Sequence, residues 1–106
     1  MTDQTALALL ENVAFDEEGY MTDPAAWTED IAAAIASREG LELTDRHWIV
    51  IRFAREEFNA NGDAPTLRKI TKTTDVDTKE LYGLFPGGPA KLAAKVSGLG
   101  KPTGCI

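Results

Sequence analysis

The side chain best suited to chemistry in this 106-residue sequence is its single cysteine, Cys105, next to last in a stretch reading Lys-Val-Ser-Gly-Leu-Gly-Lys-Pro-Thr-Gly-Cys-Ile. A thiol becomes a nucleophile when it ionises, so its surroundings decide its reactivity. Lys101, four residues upstream, favours the thiolate, and the terminal carboxylate one residue downstream opposes it. Basic groups of the body, with Arg68 and Lys91 as candidates, would tip the balance by docking the tail. Gly98, Gly100 and Gly104 open backbone conformations closed to other residues, and Pro102 stiffens the middle. Loose joints around a stiff segment suit a swinging thiol carrier. They equally suit a chain end with an incidental cysteine, and the residues alone leave both readings open.

Other chemistries find little support. One cysteine cannot close an internal disulfide, and no CxxC or Cys/His set offers metal ligands. His47 stands alone, so neither a metal nor a cofactor is expected. No Ser/His/Asp set, P-loop, GxGxxG or HExxH is present. Glu56 and Glu57 are adjacent, and neighbours on a helix point in different directions, so they read as a solvated face. Trp27 and Trp48 sit on apolar helical faces and read as core. His47 reads as a packing or capping residue. Arg52 and Arg55 are expected to pair with local acids.

Several elements must position this tail. Residues 1–12 read as an acidic, helical lead. Val13–Phe15 and Tyr20–Thr22 flank Asp16-Glu17-Glu18-Gly19, which is turn chemistry between short strand-like runs and predicts a small β-hairpin. Asp23-Pro24 opens a helix with a capping carboxylate and a proline at the first position; Trp27, Ile31, Ala34 and Ile35 share one face, and Gly40 stops it. Thr44 caps a helix over 45–60 whose wide apolar arc makes it the central one. Asn61-Gly62-Asp63 breaks it. A short helix follows over 65–72, then one capped by Asp77 or Thr78 through Leu84, then a last one over 89–97 beginning at Pro89. The expected fold is mainly α (α+β): a compact bundle of about five helices with an N-terminal β-hairpin. Residues 45–72 form a helix-turn-helix-like segment. Residues 1–97 make one domain, and residues 98–106 a mobile C-terminal arm.

Composition agrees with a small globular chain: 43% hydrophobic and 26% charged residues allow a modest core. No run reaches membrane-spanning length, and the N-terminus lacks the basic region of a secretory leader, so a cytoplasmic protein is expected. The net charge of −6 is lopsided. Residues 1–37 hold eight acids and no Lys or Arg, while residues 64–106 hold seven bases against three acids. The positive end carries the thiol, and such a field orients a partner on approach.

Gly-Pro-Ala-Lys at 88–91 and Gly-Leu-Gly-Lys-Pro-Thr-Gly-Cys-Ile at 98–106 resemble the C-terminal signature of the DsrC/TusE family of sulfur-carrier proteins. The likeness includes Leu-Tyr-Gly-Leu-Phe-Pro at 81–86, Ala-Pro-Thr-Leu-Arg at 64–68, His-Trp-Ile-Val-Ile-Arg-Phe at 47–53, Trp-Thr-Glu-Asp at 27–30 and Asp-Glu-Glu-Gly-Tyr at 16–20. The resemblance implies a mainly helical protein with a hairpin and a mobile arm. It implies that Cys105 accepts sulfane sulfur as a persulfide and passes it on, and that Lys101, Pro102, Thr103 and Gly104 are the supporting arm. The partners it implies are sulfurtransferases, a sulfite reductase or a tRNA-thiolating complex.

One departure bears on the pathway. Two-cysteine members of the family carry a second cysteine eleven positions earlier, and that position here is Ala94. The chain therefore resembles the single-cysteine branch, whose TusE members relay sulfur toward 2-thiouridine in tRNA. The Thr-Gly before Cys105 resembles the sulfite-reductase-linked members instead, as a paralogue with a trafficking or sensing role would. The alternatives are a regulatory or DNA-binding helix-turn-helix module, for which Arg68, Lys69 and Lys72 form a thin basic footprint, and a non-catalytic subunit of a sulfite-reductase-type complex. Direct nucleic-acid or membrane binding is not expected. A monomer is, with a disulfide through Cys105 as the link in any oxidised dimer.

Overall fold

A computed structural model describes residues 4–100, with backbone alone for residues 4–7. Six α-helices occur among them: α1 (Gln4–Glu11), α2 (Glu29–Arg38), α3 (Asp45–Asn61), α4 (Leu67–Thr73), α5 (Thr78–Leu84) and α6 (Pro89–Val96). A single 3₁₀ turn spans Pro24–Ala26. The mainly helical expectation holds, with one helix more than foreseen.

The hairpin does not form. The described residues contain no strand; residues 13–22 make a tight turn closed by one isolated antiparallel bridge between Phe15 and Met21. The turn chemistry is there: Asp16 Oδ1 accepts from the amides of Glu18 and Tyr20, both at 2.9 Å. Two backbone bonds, Asp16 N–H to Tyr20 O at 2.8 Å and Thr22 N–H to Ala14 O at 3.1 Å, complete it. The ladder stops because Asp23-Pro24 turns the chain at once, and so short a pair with no third strand has little to hold it.

The helix expected to open at Asp23 is also shifted. Asp23 caps only the 3₁₀ turn, accepting from Ala25 N–H at 3.1 Å. Trp27 then adopts an extended ψ of 141°. Thr28 caps α2 by accepting from Ile31 N–H, with Glu29 and Asp30 in the first turn where they complement the helix dipole. The break frees Trp27 from the helix face.

Helix α3 is the axis, packed by α6 on one side and α4 on another, while α1 lies on α2. Ile31, Ala32, Ile35 and Ala36 of α2 meet Ile51, Val96 and Met21 in one buried cluster. Val50, Ile70, Val76, Leu81, Phe85 and Ala93 form a second. Each large apolar side chain buried there contributes roughly 1.5–3 kcal/mol. Trp27 and Trp48 pack half-buried against the first cluster. Arg46 of α3 clasps the α5 side: Nε and Nη2 bond Glu80 at 2.7 and 2.8 Å, and Nη1 reaches both Asp75 oxygens at 3.2 Å.

Candidate functional site

Of the residues singled out from sequence, Cys105, Lys101, Pro102, Thr103 and Gly104 lie outside the described residues. The structure does describe the point from which they depart. Helix α6 ends in a Schellman motif: Leu99 N–H bonds Ala94 O at 2.9 Å, and Gly98 N–H bonds Lys95 O at 3.1 Å. Gly98 takes the left-handed φ of 72° that this closure requires. Leu99 is then fully buried among Tyr20, Ala54 and Ala94. Ala94 is buried in the same cluster as Leu99, and its carbonyl takes the Leu99 N–H.

Two side chains from elsewhere bind this helix end. Trp27 Nε1–H donates to Val96 O at 2.9 Å. Arg55 Nη1 donates to Ser97 O and to Pro24 O, both at 3.1 Å. The guanidinium carbon sits 4.4 Å from the centre of the Trp27 ring, a cation–π distance. Burial lowers the Arg55 pKa from its ordinary value. The local-acid expectation is therefore corrected: Arg55 satisfies backbone carbonyls, and Arg52 lies 5.7 Å from the Trp48 ring centre.

The sequence contained a signal for Arg55. Positions 51, 54, 55 and 58 run at helical spacing, and Ile51 and Ala54 are buried with Phe58 packed beside them. A cation on such a stripe needs polar partners where it lands.

The two proposed docking bases are not gathered into one site. Lys91 lines a polar cleft of about 300 Å³ with Lys95, Tyr20, Gly87 and Gly88. Arg68 is exposed on α4 and does not line that cleft. Lys95 Nζ stands 5.4 Å from the Tyr20 ring centre. Burial first, then Glu18 and Asp16, raises the Tyr20 phenol above its ordinary pKa.

His47 is structural, as its sequence context predicts. Nδ1 accepts from Thr44 N–H at 3.0 Å, and Nε2 lies 2.8 Å from Leu84 O. Glu57 pairs with Lys69 at 3.3 Å and accepts from Asn61 at 2.8 Å, which ties it to the α3–α4 junction. Among the described residues no group of three or more His, Cys, Asp or Glu side chains could hold a metal ion.

A family model described as DsrC-like protein matches residues 9–106, and so runs through Cys105. The chain belongs to the DsrC-like family. Within it, the sulfurtransferase TusE of Salmonella typhimurium is 40% identical over 103 residues, covering 91% of this chain and 94% of that one. The solution structure of Allochromatium vinosum DsrC superposes with a TM-score of 0.78 at 42% identity, covering 89% of this chain and 90% of that one. The oxidized γ-subunit of dissimilatory sulfite reductase, DsrC, from Archaeoglobus fulgidus gives 0.77 at 38%, covering 89% and 92%. This DsrC-like chain is therefore similar in sequence to both TusE and DsrC, and in fold to DsrC. No helix among its described residues is long and apolar enough to cross a membrane.

Proposed function

We propose that this protein is a sulfur-relay carrier whose cargo rides on Cys105. The Cys105 thiolate attacks the outer sulfur of a donor persulfide. The bond between that sulfur and the donor breaks, and the donor leaves as a thiolate. Cys105 then holds a persulfide, and an acceptor thiolate repeats the displacement and releases Cys105 unchanged. Each step exchanges one S–S bond for another, so no oxidant or reductant is needed. The observation that carries this reading is the family match extending across the only cysteine in the sequence.

The finer assignments follow from the same residues. The stretch that follows Leu99 acts as the movable arm of a single helical domain, with Lys101, Pro102, Thr103 and Gly104 shaping it; Gly98 and Leu99, expected to belong to the arm, are packed with the body. Lys91 and Arg68 meet acidic partner surfaces. Alanine at position 94 removes the internal disulfide available to two-cysteine members, which favours a TusE-like relay toward tRNA thiolation over service as a sulfite-reductase substrate. Its partners are then sulfurtransferases of the cytoplasm. The helix-turn-helix-like reading of α3 and α4 gains nothing for nucleic-acid binding, because Lys69 is tied to Glu57.

Intact-mass measurement after incubation with a persulfide-loaded sulfurtransferase tests the reading. The wild-type chain gains the mass of one sulfur and Cys105→Ser gains none. Equal gain by both would remove Cys105 from the chemistry.

A further inference from the structure

The last four carbonyls of an α-helix have no partner within it. In α6 the Schellman bonds take Ala94 O and Lys95 O. Val96 O and Ser97 O would ordinarily face water. Instead they receive Trp27 and Arg55, which lie 69 and 42 positions away in sequence. The two donors brace each other through the stacked guanidinium, and Arg55 reaches back to Pro24 O in the turn that presents Trp27. No carboxylate pairs with Arg55 among the described residues, so its charge serves the negative end of the α6 dipole. Trp27 also fills the space beside Gly98, where a methyl group would stand 2.6 Å from Cγ and closer still to Cδ1. Helix end, glycine and leucine are all held.

We propose that Trp27 and Arg55 are positioning residues for Cys105. They fix Leu99 as the point where the cysteine-bearing stretch leaves the body, and so set the volume the thiol samples. This rests on the carrier reading of Cys105. Six positions separate Leu99 from Cys105, which allows a reach of about 20 Å. Freeing the chain back to Val96 lengthens the tether by half, to about 30 Å. Effective concentration falls roughly as the −3/2 power of tether length, so the thiol would be diluted about two-fold at a docked partner. Loss of a fixed departure direction adds to that.

A nitroxide attached to Cys105 reads the departure point directly, because no other cysteine competes for the label. Paramagnetic broadening of backbone amides is measured in wild type, Trp27→Phe, Arg55→Met and Arg55→Lys. Trp27→Phe keeps an aromatic ring beside Gly98 while removing the Nε1 donor and part of the ring surface, so it guards against simple misfolding better than truncation would. The wild-type broadening should be strongest at amides near Leu99 and decline across the 37 Å length of the body. In Trp27→Phe and Arg55→Met it should weaken near Leu99 and grow at the amides farthest from it. Gly98 and Leu99 amides should exchange at least ten-fold faster while amides within α6 hold, and alkylation of unlabelled Cys105 by iodoacetamide should change less than two-fold. Arg55→Lys, which keeps a cationic donor, should fall between. An unchanged footprint in all variants overturns the proposal. So does a loss of protection spread evenly over α6, which would make the pair merely structural. Neither result depends on sulfur loading, so the carrier reading stands or falls separately in the mass measurement.

Discussion

The indole of Trp27 occupies the space that a side chain at Gly98 would need. Gly98 also sits at a φ of 72°, in the left-handed region that costs other residues about 1–2 kcal/mol. Gly62 at the end of α3 has nearly the same backbone, φ 81°, and a methyl group there would meet nothing within 4 Å. The two glycines therefore separate backbone strain from crowding.

Replacing each by alanine makes that comparison. Gly62→Ala should cost about 1–2 kcal/mol, the backbone share alone. Gly98→Ala should cost clearly more, roughly 3 kcal/mol or above, because Trp27 must also give way. Urea denaturation measures both. Equal losses would mean that Trp27 moves aside without consequence.

His47 joins the start of α3 to the end of α5. With Nδ1 accepting from Thr44 N–H, the neutral ring carries its proton on Nε2 and donates it to Leu84 O. The ring edge also meets Phe85, with centroids 5.1 Å apart at 77°. Truncation leaves two backbone groups unpaired and a gap beside Phe85. His47→Ala should lose roughly 2–4 kcal/mol in denaturation, with no effect on sulfur loading of Cys105. A loss of loading in a folded variant would give this histidine a chemical role that its hydrogen bonds do not show.

The Arg46–Glu80 pair makes stability depend on acid. Its hydrogen bonds hold the Glu80 carboxyl below the ordinary carboxylate pKa. A depressed pKa in the folded state means that the contribution is full above the ordinary value and is lost as pH falls through the lowered one. Glu80→Gln should therefore be less stable than wild type at neutral pH, and the gap should close in acid. The pair is partly exposed, so added salt should narrow the gap as well. A pH-independent difference would show that the glutamine harms packing rather than charge pairing.

Much of this architecture is legible in the sequence because its signals are local. Thr44, Asp77 and Pro89 mark helix starts by capping chemistry within a few residues, and α3, α5 and α6 begin where those residues place them. The hairpin and the start of α2 mislead for the same reason. Asp16 and Asp23 make the local bonds their sequence foretells, yet whether a ladder or a helix continues depends on distant partners. Trp27 leaves the α2 face because Val96 O, far along the chain, offers its indole a partner. Local spacing points Arg55 at neighbouring acids, whereas its acceptors, Pro24 O and Ser97 O, are backbone groups that no spacing rule reveals. The family signature locates Cys105, and the packing of Leu99 locates its tether.

Ala94 offers a last test of how the tail relates to the body. It is buried in one cluster with Leu99. From Leu99 the six positions to Cys105 make a tether able to span about 20 Å. Diamide, a two-electron oxidant, can link wild-type chains only in pairs, as two thiols lose two protons and two electrons to form one disulfide. Non-reducing electrophoresis should show a dimer that Cys105→Ser abolishes. Ala94→Cys adds one sulfur atom to a packed site, at a cost of about 1–3 kcal/mol. In that variant the same oxidation should yield a monomer with an internal 94–105 disulfide, since the tethered thiol outcompetes one in solution at micromolar protein. Persistent dimerisation of the variant would mean that the tail cannot turn back over Leu99, and that the thiol works only at a distance from the body that holds it.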